Sequence, residues 1–421
     1  MFTSPLRLNL QLHCTPTTPA REMSDIWPPL PIMIEAMLHQ YPNSDVYDDN
    51  IVAALERRDR VRVITAWGIS SYLLDKIAAV MLEPFPALTN LSLRSKDDVT
   101  SALPETFLGN SAPGLQRLEL DSIPFPALPK LVLSFDHLTA LCLRNIPPTG
   151  YISPDVMVSC LSTLTRVSEL TIQFKTPRPR PEPSNRRLLP RTRIVLPALT
   201  YFNFKGVSEY LDDLVARIDT PNLIHLDAVF FHQLIFDIPH LSQFSLRTDR
   251  LKSPDRVDFL LHANSVQVNF GHHPTTNLYL HIPCSHSDWQ LSFLVQVCGH
   301  PLPVGSSVER LNIDDFEVSP QKWHDDTDYD QWLEVLRPFM AVRELHVSKS
   351  QGPLLMRALN DLTGQRTMEV LPKLSDLYLK GAQSVESLRE TIGPFVAGRQ
   401  LSGHPVAVHC IEGGDWKIVD L

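Results

Sequence analysis

Leu115-Gln116-Arg117-Leu118-Glu119-Leu120-Asp121 and Leu138-Thr139-Ala140-Leu141-Cys142-Leu143-Arg144 share one pattern: they are apolar at positions 1, 4 and 6. Positions 4 and 6 are two apart, so a short strand turns both side chains to the same face. Position 1 packs the entry to the strand. A lone strand of this kind buries one face only, and stacking many copies side by side builds one continuous core.

The pattern recurs in both directions from these two copies. Upstream stand Leu88, Leu91, Leu93 and, as the first copy, Val61, Ile64, Ala66. Downstream follow Val167, Leu170, Ile172; Leu199, Phe202, Phe204; Leu223, Leu226, Ala228; and Leu241, Phe244, Leu246. The far end adds Val308, Leu311, Ile313; Val342, Leu345, Val347; and Leu374, Leu377, Leu379. Most steps are roughly 23 to 34 residues, the period of leucine-rich repeats. The step from Leu223 to Leu241 is shorter, and Leu128, Leu131, Leu133 begins too close to Leu138 to be another strand. That string reads as a return segment on the convex side.

Helical patterns fill the gaps. Residues 49–58, 70–82, 154–164 and 208–218 carry apolar residues at three-to-four spacing, as do 287–297, 328–336, 354–362 and 385–396. Ser153 before Pro154, and Ser208 with Asp212, read as helix starts. A wide helical edge and a narrow strand edge bend such a stack. The expected fold is therefore α/β: a curved leucine-rich-repeat solenoid with a parallel sheet on the concave face and helices on the convex face. Residues 1–47 read as an N-terminal strand and cap, and 48–421 as the solenoid. The opening alternation of Leu6, Leu8, Leu10 and Leu12 is a strand pattern rather than a secretory leader.

Composition agrees. The chain has 421 residues with 47 acidic and 38 basic side chains, a net charge of −9, which argues against a general nucleic-acid or membrane-surface binder. Proline is abundant at 36 and glycine scarce at 16, which disfavours glycine-rich phosphate loops. The six cysteines have no paired spacing, so reduced thiols and an intracellular setting, cytoplasmic or nuclear, are expected. No apolar run is long enough to span a membrane.

Position 9 of the repeat holds Ile69, Ile123, Ile146, Val207, Phe231 and Phe316 rather than Asn or Cys. With the opening strand, the Trp27-Pro28-Pro29-Leu30-Pro31 stretch, and phrases such as Phe204-Lys205-Gly206-Val207-Ser208-Glu209-Tyr210-Leu211 and Ser111-Ala112-Pro113-Gly114-Leu115, the chain resembles fungal F-box-associated leucine-rich-repeat proteins. The resemblance implies the substrate-receptor part of a ubiquitin ligase, whose F-box docks on the Skp adaptor of a cullin complex. The alternative is a stand-alone inhibitor or scaffold with no ligase link. Leu30-Pro31 with Ile34 and Leu38 mimics an F-box opening helix, but a polar loop over 41–49 replaces the second helix. Residues 30–45 are therefore expected to form a capping helix. The F-box would be lost or lie upstream.

No constellation points to catalysis or a cofactor. There is no GxxxxGK[ST], GxSxG, HExxH or GxGxxG. His272-His273 and His281-x-x-Cys284-x-His286 are ligand-like, but the alternation from Leu278 to Ile282 makes them strand and loop residues, and no metal is expected. His324 to Asp330 opens like a calcium loop, yet Gln331 and Arg337 stand where Gly and Glu are needed. It reads as an acidic helix start. The Pro/Arg-rich insertion at about 175–193 reads as an exposed loop.

The expected partner is a protein of unknown identity on the concave face. Positions 3, 5 and 7 alternate with the buried pair and point outward. They give Arg117, Glu119 and Asp121; Arg144; Tyr201, Asn203 and Lys205; His225 and Asp227; Arg247; Arg310 and Asp314; and Asp376, Tyr378 and Lys380. Tyr and Arg among mixed charges suit a protein partner better than a polyanion.

Overall fold

The computed structural model describes residues 10–13, 19–26, 30–37, 45–97, 101–177, 193–232, 236, 238–272, 276–284, 287–299, 307–315, 327–348, 351–362, 364–380, 385–412 and 415–419. The chain divides into two compact units, Met1–Gly206 with Arg217–Thr220, and Val207–Ala216 with Pro221–Leu421.

The first unit runs β1 (Leu10–His13), α1 (Ala20–Ile26), β2 (Ile32–Met37), α2 (Asp45–Leu55), β3 (Val61–Ile69), α3 (Ser71–Val80), β4 (Asn90–Ser95), β5 (Arg117–Asp121), α4 (Leu128–Val132), β6 (Ala140–Ile146), α5 (Pro154–Leu161), β7 (Glu169–Phe174), β8 (Ile194–Val195), β9 (Tyr201–Gly206) and, later in the chain, β10 (Ile218–Asp219). Strands β1 to β7 and then β9 pair in parallel, each with the next. The two short strands β8 and β10 pair separately, also in parallel. The register aligns equivalent repeat positions: Leu91 with Leu118, Leu118 with Leu141, Leu141 with Leu170, Leu170 with Phe202.

The second unit comprises α6 (Ser208–Val215), β11 (His225–Phe230), α7 (Pro239–Arg247), β12 (Arg256–His262), β13 (Ser265–His272), β14 (Thr276–Pro283), α8 (Ser287–Gly299), β15 (Arg310–Asp315), α9 (Thr327–Leu336), β16 (Glu344–Val347), α10 (Gly352–Asn360), β17 (Asp376–Leu379), α11 (Val385–Leu401), β18 (Ala407–Glu412) and β19 (Asp415–Val419). Its sheet is mixed. β11 lies parallel to β14, and β14, β13 and β12 form an antiparallel meander. β12 then leads in parallel to β15, β16, β17 and β18, and β19 turns back on β18. The antiparallel strands are a departure from the all-parallel expectation. Residues 256–283 carry alternation without the LxxLxL spacing, and the short connections at Ala263-Asn264 and after His272 fit hairpins rather than crossovers.

Both units are α/β, with strands alternating with helices. At the nine strings that form strands from Leu88 onward, positions 1, 4 and 6 are at most 5% exposed. Helices pack against sequence neighbours: α2 on α3, α4 on α5, α6 on α7, and α8 through α11 in series. Their starts follow the expected chemistry in two cases. The Ser70 hydroxyl accepts from the Leu73 N–H at 3.3 Å, and the Ser153 hydroxyl accepts from Val156 N–H at 3.4 Å.

Three expectations need correction. The Leu241, Phe244, Leu246 string is helix α7, not a strand. Leu241 and Phe244 satisfy a helical i, i+3 face equally well, and Leu246 stands 44% exposed. The expected capping helix within 30–45 contains strand β2, where Ile32, Ile34 and Ala36 are buried with period two. Asp212 does not assist the start of α6, whose N-cap is Val207; it serves helix α7 instead. Leu128 to Val132 is no strand, as expected; the return segment there forms helix α4, with Leu133 72% exposed.

Candidate functional site

Alternation leaves one side of each sheet to be built by positions 3, 5 and 7. In the first unit the register sets Asn90, Arg117, Ala140, Glu169 and Tyr201 in one row, and Ser92, Glu119, Cys142, Thr171 and Asn203 in the next. Arg117 donates to both Glu169 oxygens, at 2.8 and 3.1 Å, across the intervening β6. Burial works to raise the Glu169 carboxyl, and the hydrogen bond and charge of Arg117, with Cys142 and Arg144 added, together outweigh it and hold the group below the usual carboxylate range. Arg117 Nε is 3.9 Å and Arg144 Nε 3.4 Å from Glu119, ion pairs whose Arg144 member lacks hydrogen-bond alignment.

Beneath the Arg117–Glu169 bridge, Cys142 has no exposed surface, and burial pushes its thiol up to about 12. Asp121 occupies an outward position but is only 6% exposed. Asn145 Nδ2 donates to its Oδ1 at 2.8 Å, Ser122 Oγ donates at 3.1 Å, and Arg94 Nε lies 3.3 Å from Oδ2. Tyr201, Asn203 and Lys205 stand half-buried at the β9 side, where Gln173 donates to Asn203 at 2.7 Å.

In the second unit the middle row runs Asp227, Tyr279, Asn269, Asp258, Asn312, His346, Tyr378 and His409. Asp258 accepts from Arg256 Nε at 2.7 Å and from Asn312 Nδ2 at 2.5 Å. Arg310 donates to Glu344 at 2.6 Å, which holds that carboxyl low, and Lys380 pairs with Asp314. Three rings stack in succession: His346 on Tyr378 at 4.2 Å and 6°, and Tyr378 on His409 at 4.3 Å and 11°. His409 Nε2 meets Asp376 Oδ1 at 2.9 Å. Trp416 of β19 stands perpendicular to the stack, 5.1 Å from the Tyr378 ring.

The structure thus groups Arg117, Glu119, Asp121, Arg144, Tyr201, Asn203 and Lys205 on one sheet face. It places His225, Asp227, Arg310, Asp314, Asp376, Tyr378 and Lys380 on the sheet face of the second unit. Arg247 belongs to neither: it ends helix α7, donates to the Val215 carbonyl and lies 5.3 Å over the Phe244 ring. Its expected place rested on the string that proved helical. The same offset rule, applied to every string, would have added Glu169, Asn312, Glu344 and His346. Asp258, Tyr279 and Trp416 sit on antiparallel strands that carry no repeat string.

Among the described residues no group of three or more His, Cys, Asp or Glu side chains is placed to hold a metal. Cys284 is buried and donates weakly to the Ile282 carbonyl at 3.6 Å. His273 and His286 lie outside the described residues, as do residues 178–192 of the basic insertion and 324–326 of the calcium-like stretch. Thr327 to Asp330 opens helix α9, as the acidic-start reading expects. No described helix is long and apolar enough to cross a membrane.

Neither a scan against protein-family models nor a search of curated proteins returns a match. Among solved structures, the chain is similar to the leucine-rich repeat-containing protein LegL7 from Legionella pneumophila, at 12% identity and a TM-score of 0.24, over 97% of this chain and 92% of that one. At that score the likeness carries no weight beside the repeat register of the chain itself.

Proposed function

We propose that the chain is a non-catalytic recognition module that binds a partner protein across its outward sheet faces. The observation that carries the reading is the cross-strand fixing of those faces: Arg117–Glu169, Arg310–Glu344 and the His346–Tyr378–His409 stack hold their side chains in place before any partner arrives. Pre-ordered aromatic and arginine groups lose little entropy on binding and serve well as anchors. The resemblance to F-box-associated repeat proteins supplies a finer form, a substrate receptor in a cullin ubiquitin ligase. The free, buried Cys142, Cys160, Cys284, Cys298 and Cys410 fit the reducing intracellular setting this requires.

The test is interaction mass spectrometry on the longest natural transcript, with and without proteasome inhibition. Recovery of the Skp adaptor and cullin supports the ligase form. A stable partner without them supports the inhibitor or scaffold form. Partners that survive Tyr201→Ala with Lys205→Glu and also Tyr378→Ala, yet are lost on changing the helices, would remove the sheet faces from consideration.

A further inference from the structure

We propose that the outward face of β15 to β19 docks an arginine- or lysine-bearing segment of the partner, one cationic side chain resting on the free side of Trp416. The proposal rests on the recognition reading above and specifies the partner's chemistry.

Geometry supplies the first argument. Both faces of the Tyr378 ring are occupied, by His346 at 4.2 Å and His409 at 4.3 Å. Trp416 can therefore meet only the ring's edge. At 5.1 Å and 84° the two centroids are too close for edge against edge, so the Tyr378 edge points into a face of the indole. A second perpendicular contact, to His346 at 6.2 Å and 87°, agrees. The indole lies across the stack, and its other face turns outward, with the residue 39% exposed. Ile418, opposite His409 in the ladder, is 68% exposed and offers apolar surface for an aliphatic stem.

Charge supplies the second. The outward positions of β15 to β19 carry three carboxylates, Asp314, Glu344 and Asp376. Against them stand two fixed cations, Arg310 and Lys380, each already paired with one of these acids. Asp376 is partnered by an imidazole instead, at 2.9 Å from His409. In the first unit the same count balances, Glu35, Glu119, Asp121 and Glu169 against Arg94, Arg117, Arg144 and Lys205. An outward indole face attracts a cation through its quadrupole, and a net negative field around it steers cations in and turns anions away.

The test uses the full chain and two fluorescein-labelled octapeptides, one alternating glycine with arginine and the other glycine with glutamate, followed by anisotropy at near-physiological salt. The arginine peptide should bind saturably and the glutamate peptide should not. Trp416→Ala and Asp376→Asn should each weaken binding by about 3- to 20-fold, while Trp416→Phe keeps most of it. Asp136→Asn, in the other unit, should change nothing. Absence of saturable binding overturns the proposal. So does an equal loss with Asp136→Asn, which would mark diffuse attraction to an acidic protein. If a captured partner is lost with Tyr378→Ala while the arginine peptide fails to bind, the recognition surface stands and its cationic specificity falls.

Discussion

Arg117 on β5 clasps Glu169 on β7 through both terminal nitrogens, at 2.8 and 3.1 Å, over the strand that separates them. The bridge roofs Cys142, whose position faces away from the core and which is nevertheless wholly covered. Arg117→Ala is expected to speed alkylation of Cys142 by iodoacetamide roughly tenfold or more, because opening the roof raises access and relieves the burial that holds the thiol up, the largest influence on it, against the lost pull of the Arg117 charge. Mass spectrometry of the Cys142 peptide reads the rate, with Cys298, buried in helix α8, as the slow reference. An unchanged rate would mean that the roof is something other than this bridge.

Leu118 is fully buried at position 4 of its repeat and sits between Leu91 and Leu141 in the ladder. Leu118→Ala should cost about 2 to 5 kcal/mol through lost transfer energy and the cavity left behind. A loss under about 1 kcal/mol in denaturant titration would contradict the tight packing of this register.

Asp212 shows how one helix secures the next. Its Oδ1 accepts from the N–H groups of His240 and Leu241, at 2.9 and 2.8 Å, capping α7 from α6, and its Oδ2 meets His240 Nδ1 at 2.6 Å. Asp212→Ala should destabilise the second unit by about 1 to 2 kcal/mol, with Asp212→Asn recovering part of it. Hydrogen exchange at the first turn of α7 should rise in the alanine variant, and protection left intact would rule out the cap.

Burial lowers the His346 imidazole below its ordinary 6.5, with Arg310 and Lys380 pushing the same way and Glu344 pulling back. The unfolded chain therefore takes up this proton more readily than the folded one. Stability from this site is full above about pH 6.5 and is lost as pH falls through the lower folded value. His346→Phe keeps a ring on Tyr378 and should flatten that part of the profile. Denaturant midpoints between about pH 7.5 and 5.5 measure it. An identical slope in the variant would assign the dependence to another group.

The repeats were legible because their signal is redundant: Leu118 with Leu120, and Leu141 with Leu143, each state the same inward pair, and the ladder then sets their register. Redundancy fails where a string is read once. Leu241, Phe244 and Leu246 match the repeat by spacing, but Pro239 suits a first helical turn, and the short step from Leu223 was the visible warning. The meander from Arg256 to Pro283 carries strand alternation without repeat spacing, so its antiparallel pairing had no marker. For the site, sequence offers which residues face outward but not which ones meet. Tyr378 was legible as an outward ring. Its stacking on His346 and His409 depends on three repeats arriving in one register, and the arrival of Trp416 depends on β19 turning back.

The β12–β13–β14 meander also fixes an order of events during synthesis. A strictly repeating array can grow at the ribosome one strand at a time, each new strand finding the previous one already in place. Here β11 pairs with β14, the last strand of the meander, while β12, the first, pairs with β15. After β11 emerges, it therefore waits with an unmatched flank until the whole meander has been translated and closed. Growth then resumes from the meander's opposite border. That pause is the interval in which a nascent chain has most need of a chaperone.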